Sequence, residues 1–377
     1  MSSYEPIRVC QVVGNMNGGG VEQVVMNYYH YLDRSRVQFD FVVTENSTLV
    51  PREELESLGA RVFTVPAFTK LPAFKSATYR LFCAHPEWRI VHSHLNALNV
   101  FPLHQAAKAG IPVRIAHSHS TAGSGRGEAV RNAAKTLLRT QANRYPTVRF
   151  ACGRYAGEWL FGKCSDFTVI PNAIDLGRFA FSSEKRTSLR AELGISQESF
   201  VVCHLGRFMA QKNHSFLVDI FAELLKRRPS SVLLLAGEGP LMDETKRKAD
   251  SLGIQDSIHF LGQRSDVDRI YCASDVLCMP SLYEGLPVTG VEAQASGLPL
   301  LISDQVTDEI LITGRARKLA LSAGPVGWAD IIMTMEPTSR LEPLSESDQN
   351  ALASYDIVRQ GLKLTEKYLQ LYGEVEK

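Results

Sequence analysis

The cysteines of this 377-residue chain lack the spacing of a cysteine framework. There are seven, an odd number, and no two stand as Cys-x-x-Cys, which argues against a disulfide scaffold or a structural zinc site. The chain also lacks a basic start followed by an apolar stretch, and it lacks an apolar run of the ~18–20 residues that cross a bilayer. We therefore expect a cytoplasmic protein whose contact with a membrane is at most peripheral.

An excess of either charge is missing as well, because 41 Lys and Arg residues face 40 Asp and Glu residues. No global field attracts nucleic acid, so no nucleic-acid partner is expected and any anion site must be built locally. Apolar residues make up 45% of the chain, the value of an ordinary globular protein. Single cores rarely grow to this length, so two domains are expected.

Short β-rich runs alternate with helical patterns through the chain. The first series is Ile7–Val13, Phe39–Thr44, Arg61–Val65, Ile90–Ser93 and Val113–His117. The second series is Phe200–Leu205, Val232–Ala236, Ser257–Leu261, Val276–Met279 and Pro299–Ser303. Strands joined by crossover helices form parallel sheets, which bind ligands at the carboxyl ends of their strands. The pattern predicts an α/β protein with two facing, Rossmann-like, doubly wound domains and a cleft between them.

A turn-rich stretch, Ile170–Asp175, suits the link between the two series. We predict an N-terminal acceptor-binding domain over residues 1–172 and a C-terminal nucleotide-sugar-binding domain over residues 173–350. Residues 351–377 are predicted to form a last helix that returns to the first domain.

The strongest motif runs from Pro280 to Gly297. Proline suits the first turn of a helix and glycine its end, so a helix is expected between them, with unpaired N–H groups at its start that suit a diphosphate. That anion site is predicted at Gly285, Leu286, Pro287 and Val288. Glu284 lies in the loop before the helix, and Glu292, in its second turn, suits two ribose hydroxyls. The alternative is a surface helix with solvated glutamates.

A second motif places two cations, Arg207 and Lys212, between a strand that ends at Gly206 and the next helix. Fixed cations stabilise the charge that a leaving diphosphate develops in the transition state, and they can replace a metal ion. Asn213 is expected to cap the helix with its side chain. Ordinary surface cations are the alternative.

A third segment combines a strand end with an Asp-x-Asp pair. The backbone at Leu261 and Gly262 is free to meet a planar base, and Arg264 follows it. Asp266 is expected to cap the helix that begins near residue 267, whereas a metal pair with Asp268 is the alternative.

Glycine-rich turns follow two other strands. Gly19 and Gly20 belong to a run of three glycines, which permits close approach of a phosphate or an acceptor but departs from the dinucleotide fingerprint G-x-G-x-x-G. Gly237 lies in a similar turn before Pro240. A purely structural tight turn remains the alternative at both places.

Four histidines, His92, His94, His117 and His119, end two strands of the first series. Alternation along a strand puts His117 and His119 on one side, as a metal pair would require, but no carboxylate or cysteine accompanies them at metal spacing. At least one active-site imidazole and no metal are expected.

A basic amphipathic helix is predicted from Glu128 to Asn143, with Arg131, Lys135 and Arg139 at four-residue intervals. Such a face suits an anionic membrane or a lipid diphosphate, and simple solvation is the alternative.

In this combination and order the sequence resembles the retaining glycosyltransferases of family four, which have the GT-B fold, and in particular those that build capsules or exopolysaccharides. The resemblance covers nearly the whole chain and rests on Gly18–Glu22, Gly206 to Asn213, Phe260–Gly262, and Glu284 with Glu292 seven residues beyond it.

The resemblance implies a UDP-sugar donor, no cofactor and a saccharide or polyprenyl-diphosphate-linked acceptor. Arg207 and Lys212 would hold the donor diphosphate, Glu292 the ribose, and Glu284 with the amides that follow it the transferred sugar. His119, favoured over His117, would contact that sugar. Two other classes remain open: a catalytically silent partner subunit of the same fold, and a non-hydrolysing UDP-sugar epimerase, which needs carboxylates that the first domain does not show.

Overall fold

The computed structural model describes residues 5–119, 136–335, 340 and 343–375. The chain divides into two compact units. Unit 1 comprises residues 1–173 with 356–377, and unit 2 comprises residues 174–355. No helix among the described residues is both long enough and apolar enough to cross a membrane.

Unit 1 is built on a seven-stranded parallel sheet of order β3-β2-β1-β4-β5-β6-β7. Its strands are β1 (Ile7–Gly14), β2 (Val37–Thr44), β3 (Arg61–Val65), β4 (Ile90–Ser93), β5 (Val113–Ser118), β6 (Val148–Ala151) and β7 (Thr168–Val169). Its helices are α1 (Gly20–Tyr31), α2 (Arg52–Ser57), α3 (Leu71–Ala84), α4 (Val100–Lys108) and α5 (Arg154–Phe161), and the last helix of the chain, described below, also belongs to it.

Unit 2 repeats this plan with a six-stranded parallel sheet of order β10-β9-β8-β11-β12-β13. Its strands are β8 (Val201–Leu205), β9 (Val232–Ala236), β10 (Ile258–Gly262), β11 (Val276–Met279), β12 (Leu300–Ser303) and β13 (Ala316–Leu319). Its helices are α6 (Leu176–Phe179), α7 (Ser183–Glu192), α8 (His214–Arg227), α9 (Met242–Ser251), α10 (Val267–Ala273), α11 (Val288–Ala295), α12 (Gly324–Met333) and α13 (Glu346–Leu352).

The predicted parallel α/β class is confirmed, because each unit is a parallel sheet with Rossmann-like strand order. The central strands are buried along their length, as parallel strands covered on both faces must be, which explains their near-continuous apolar sequences. The sequence patterns missed β6, β7 and β13. These lie at or near the sheet edges, where β7 is exposed and β13 carries polar residues, so their apolar signal is weak.

The basic helix expected over 128–143 is described only in part. Arg131 and Lys135 lie outside the described residues, and the described helix covers 136–139, so its expected extension to Asn143 is wrong. Arg139 lies 5.5 Å from the centre of the Trp159 ring, and this contact holds part of the basic face against unit 1.

The core of unit 1 contains a buried carboxylate. Asp40, in β2, is fully buried; it accepts a hydrogen bond from Trp88 Nε1 at 2.7 Å and pairs with Arg8 and Arg61. Such a charge is tolerated in a core because its oxygens are paired and hydrogen-bonded.

The last helix, α14 (Ile357–Gly373), packs against α1. The approach is close, because a Cβ added at Gly361 would lie 2.6 Å from the carbonyl oxygen of Tyr31. Further along, Thr365 Oγ1 accepts a hydrogen bond from the Asp33 amide at 3.2 Å, and the Tyr368 ring meets that of Phe39 edge-on. The glycine therefore allows α14 to reach the sheet of unit 1.

We predict that Gly361→Ala lowers the free energy of unfolding by about 1–3 kcal/mol relative to Gly373→Ala, because the new methyl group collides with backbone. Gly373 lies at the end of the same helix and has open space around it, so its variant adds the same methyl group without a collision. Thermal and urea melts of the two variants measure the difference. Equal stabilities would contradict the close approach.

Candidate functional site

The candidate site of unit 2 lies where the strand order reverses. β8 and β11 are neighbours in the sheet, and the chain leaves them for opposite sides of it, which creates the crevice where open α/β sheets bind ligands. The loops that follow these two strands contain the cation motif and the glutamate motif of the sequence.

Backbone and amide bonds tie these two loops together. The Leu282 amide donates to the Gln211 carbonyl at 2.8 Å, and Asn213 Nδ2 donates to the Pro280 carbonyl at 3.1 Å. Asn213 stands at the N-cap of α8, but its side chain makes no capping bond, so the expected cap is wrong. Its side chain is used across the crevice instead, and its φ of 56° is one that asparagine tolerates better than most residues.

A buried ion pair forms the centre of the joined loops. Lys212 Nζ lies 2.7 Å from Glu284 Oε1, and the two side chains are 16% and 8% exposed. Gln211 Nε2 donates to Glu284 Oε2 at 2.9 Å and to the Tyr283 carbonyl at 3.0 Å, which fixes the carboxylate. Gln211 is not predictable from the sequence as a site residue, because its only signal there is its place beside Lys212.

Arg207 is exposed, and the part of the chain that the structure describes offers it no hydrogen-bond or ion-pair partner. A guanidinium presents five N–H donors in a planar fork that matches phosphate oxygens. The expected second cation is thus at the end of β8 with its donors available to a ligand.

Three glycine-containing loops are joined by backbone bonds at the ends of β8, β9 and β10. The Gly206 amide donates to the Ala236 carbonyl at 2.9 Å, and the Gly237 amide donates to the Gly262 carbonyl at 2.8 Å. A Cβ at Gly237 would lie 2.3 Å from the Gly206 oxygen, and its φ of +132° also excludes other residues. These glycines therefore serve close packing of the loops, and the structure brings Gly206, Gly237 and Gly262 together beside Lys212.

The start of α11 has the backbone geometry that the predicted anion site requires. Pro287 is its N-cap, and the amides of Gly290 and Val291 bond back to the Pro287 carbonyl. The amides of Val288 and Thr289 have no acceptor within the helix by construction, so they can meet an anion. Gly285 and Leu286 precede this turn and connect it to Glu284.

Glu292 lies within α11 and is 6% exposed. Its Oε2 accepts a hydrogen bond from the Tyr271 hydroxyl at 2.8 Å. Burial has the largest effect on the Glu292 carboxyl and raises its pKa to about 7. The hydrogen bond from Tyr271 and the charge of Arg178 lower this pKa, but by less. Tyr271 is not predictable from the sequence as a site residue, because an aromatic residue on a buried helix face has the pattern of ordinary core.

Arg264 is engaged within the protein. Its guanidinium holds Asp266 through two bonds of 2.7 Å and lies 3.4 Å from Glu192. The expected helix cap by Asp266 is wrong, since its carboxylate binds Arg264 and Arg269 and no helix amide. Asp268 pairs with Lys185 and Arg178, so both carboxylates of the Asp-x-Asp segment have cations as partners. Leu261 precedes Gly262 at the end of β10.

The glycine run of unit 1 already holds a carboxylate. Glu22 in the first turn of α1 accepts hydrogen bonds from the amides of Asn17, Gly18 and Gly19, at 3.0, 2.6 and 2.8 Å. These amides would otherwise form an anion site, so a phosphate at Gly19 would compete with Glu22. Gly20 is exposed, with open space where a side chain would stand.

Four of the histidines of unit 1, His92, His94, His117 and His119, lie together at the ends of β4 and β5, and all four are buried. The rings of His117 and His119 are stacked with their centres 3.9 Å apart, as strand alternation predicts. Burial lowers the pKa of His119 to about 3 and holds those of the other three well below the ordinary value. Ligand atoms of His92, His94 and His117 lie within 4.8 Å of one another, so these three residues could hold a metal ion.

Solved structures share this architecture. Anabaena HepE in complex with UDP-glucose superposes with a TM-score of 0.78 at 19% identity, over 96% of this chain and 99% of that one. Sucrose-phosphate synthase of Thermosynechococcus elongatus gives a TM-score of 0.80 at 18% identity, over 97% and 99%. These similarities, together with the two parallel-sheet units, define the class of the protein as the GT-B fold.

Sequence comparisons identify the family within that class. Residues 19–173 match the family described as Glycosyl transferase 4-like domain, and residues 185–312 match Glycosyl transferases group 1. The Bacillus subtilis (strain 168) protein named "Putative glycosyltransferase EpsF" is 36% identical over 332 residues, 86% of each chain. The chain therefore belongs to the group 1, family-4-like glycosyltransferases.

A second relative covers almost the full length. The Escherichia coli UDP-Gal:alpha-D-GlcNAc-diphosphoundecaprenol alpha-1,3-galactosyltransferase is 24% identical over 387 residues, 98% of each chain. The alignment spans both units.

We predict that Glu292→Gln stabilises the protein at pH 8 and leaves its stability at pH 5 nearly unchanged. A carboxyl pKa raised from 4.5 to about 7 means that the folded state holds a proton that the unfolded state has lost, so wild-type stability falls as pH rises between these values. The full difference is about 3 kcal/mol above pH 7. Melting temperatures of both proteins at pH 5 and pH 8 measure it, and a gain at pH 5 equal to that at pH 8 would contradict the raised pKa.

Proposed function

We propose that the protein is a retaining, metal-independent glycosyltransferase that moves a hexose or N-acetylhexosamine from a UDP-sugar to a lipid-carrier-linked saccharide. The place proposed for this activity is capsule or exopolysaccharide synthesis. The observation that carries the proposal is the largely buried Lys212–Glu284 pair at the reversal of strand order in unit 2, on the same loop as Arg207, for which the described residues offer no partner.

Lys212 can bind a diphosphate without giving up its carboxylate partner. An ammonium has three N–H donors, and Glu284 takes one of them. With Arg207 at the mouth of the same loop, two cations are available for the charge that the leaving diphosphate gains as the glycosidic bond breaks. The Val288 and Thr289 amides add helix-start donors.

Glu284 and Glu292 take different roles in this proposal. Glu284 is held in place by contacts to Lys212 and Gln211, and its carboxylate oxygens accept hydrogen bonds from the hydroxyls of the transferred sugar. Glu292 accepts from the ribose hydroxyls, and its buried position beside Tyr271 gives it a fixed orientation. Because the described part of unit 2 pairs both carboxylates of the Asp-x-Asp segment with cations, the charge of the diphosphate is assigned to Arg207 and Lys212 rather than to a metal.

The donor and the acceptor are proposed from relatives. Structures of Anabaena HepE contain UDP and UDP-glucose, and the E. coli relative is named for transfer from UDP-galactose to a diphosphoundecaprenol-linked sugar. These names support a uridine nucleotide and a polyprenyl-linked acceptor here. In unit 1 we propose His119 as the contact to a sugar hydroxyl, since its Nδ1 is buried and has no partner among the described residues.

We predict that Lys212→Ala lowers kcat/KM by about 10²–10³-fold, because a charge-stabilising donor is lost from the transition state. Hydrolysis of UDP-, GDP- and ADP-sugars measures this without knowledge of the acceptor. Lys226→Ala is the matched control, since Lys226 belongs to the helix that follows and its ion pair with Glu223 is largely exposed. Near-normal turnover by a folded Lys212→Ala variant would remove the diphosphate role.

We predict that donor hydrolysis and transfer survive EDTA, because Arg207 and Lys212 supply the charge that a metal would supply elsewhere. The assay compares chelated enzyme with enzyme given Mg²⁺ or Mn²⁺. Activity that EDTA abolishes and manganese restores would point instead to a metal site.

A further inference from the structure

Six buried side chains of unit 1 form one continuous hydrogen-bond network. Gln11 is fully buried in the middle of β1, the histidines lie at the ends of β4 and β5, and Tyr368 comes from α14. Two chains of bonds leave the Gln11 amide, one from its oxygen and one from its nitrogen, and each chain ends at a different histidine.

The first chain runs from the oxygen. An amide oxygen only accepts, so His94 Nε2–H donates to Gln11 Oε1 at 2.8 Å. Burial lowers the pKa of His94, which is therefore neutral and has a lone pair at Nδ1. His119 Nε2–H donates to that lone pair at 2.9 Å. His119, also neutral, is left with a lone pair at Nδ1, and this atom has no partner among the described residues.

The second chain runs from the nitrogen. Gln11 Nε2 donates to the Tyr368 oxygen at 3.1 Å, so the Tyr368 hydroxyl donates to His92 Nδ1 at 2.6 Å. His92 then carries its proton on Nε2 and donates to His117 Nδ1 at 3.0 Å. His117 is left with an N–H at Nε2, which again has no partner within the described part of the chain.

The two free ends have opposite character. His119 Nδ1 is an acceptor, His117 Nε2–H is a donor, and the two rings are stacked. Turning the Gln11 amide over would reverse every bond and exchange the two ends, so their opposite character follows from the amide itself. Buried polar atoms without partners require an explanation, and a hydroxyl, which both donates and accepts, is the group that satisfies one donor and one acceptor.

We propose that Gln11 and Tyr368 are positioning residues that set the tautomers of His117 and His119, so that the two imidazoles offer a bound sugar hydroxyl one donor and one acceptor. This inference rests on the proposed function for the identity of the ligand. The tautomers themselves require only the network.

A metal ion at His92, His94 and His117 is the competing use of the same atoms. Metal ligation needs ring lone pairs that point at one centre, whereas the ring nitrogens at 3.0 and 2.9 Å from one another already serve as donor and acceptor. No carboxylate or cysteine joins these three histidines in the metal-compatible group found among the described residues. The network therefore favours hydrogen bonding over ligation.

The test is long-range ¹H–¹⁵N spectroscopy of protein labelled with ¹⁵N-histidine, which distinguishes a protonated ring nitrogen from a lone pair. In the wild type, the four histidines of the network should all be neutral and in the Nε2–H form. Tyr368→Phe should mix the tautomers of His92 and His117 and leave those of His94 and His119 unchanged, because only the second chain is cut. Gln11→Leu should mix the tautomers of all four histidines, because it cuts both chains.

Tyr29→Phe is the matched control, since it removes a buried hydroxyl of the same unit whose bonds go to Gln38 and to the Leu58 carbonyl instead of the histidine network. Its four histidine signals should match the wild type. Equal changes at all four histidines in Tyr368→Phe, or stoichiometric zinc in the purified wild-type protein, would overturn the network. Tyr368→Phe keeps the test decisive even where Gln11→Leu fails to fold.

The sugar contact is tested separately by kinetics. Tyr368→Phe should lower kcat/KM for donor hydrolysis between about twofold and tenfold, the range of a weakened or lost hydrogen bond, while Tyr29→Phe leaves it unchanged. Tyr368→Phe could change the tautomers of His92 and His117 alone and leave the rate unchanged. That result would overturn the proposal that a sugar hydroxyl binds the two imidazoles, but it would keep Gln11 and Tyr368 as positioning residues. Loss of rate in Lys212→Ala alone would support the proposed function independently.

Discussion

The buried ion pair between Lys212 and Glu284 is the interaction on which the unit 2 site depends. Each charge would be costly alone at this exposure. The two charges stabilise each other, and Gln211 donates a further hydrogen bond to Glu284. The pair joins the loops after β8 and β11, which adjoin because their strands are neighbours in the sheet. A ligand with negative charge therefore meets a cation whose position the fold has already determined.

The two units use one strand order for different chemistry. At the reversal of order in unit 2, between β8 and β11, the side chains are charged and suit a diphosphate. At the corresponding place in unit 1, between β1 and β4, they are a glutamine and neutral histidines, whose low pKa values follow from burial. Such a network presents uncharged donors and acceptors, which suit hydroxyls better than phosphates. The glycine run of unit 1 agrees with this division, since Glu22 already occupies its amides.

Much of the fold could be predicted because apolar runs such as β8 and β11 report burial directly. Edge strands such as β13 could not be predicted in this way, because β13 has polar residues at two of its four positions. Side-chain roles that depend on distant partners were also hidden. Asn213 and Asp266 have good capping chemistry, but Pro280 in one case and Arg264 in the other lie close enough to take their side chains. Gln211 and Tyr271 have no local signal for the contacts they make.

The sequence by itself determined the class of the fold, the order of its elements and the residues that end the central strands, because periodicity and glycine or proline positions act locally. Only the tertiary structure decided which of those residues meet. Lys212 and Glu284 are 72 positions apart, and Gln11 and Tyr368 are 357 apart. Contacts at such separations depend on strand order and on the return of α14 to unit 1, which no short stretch of sequence records.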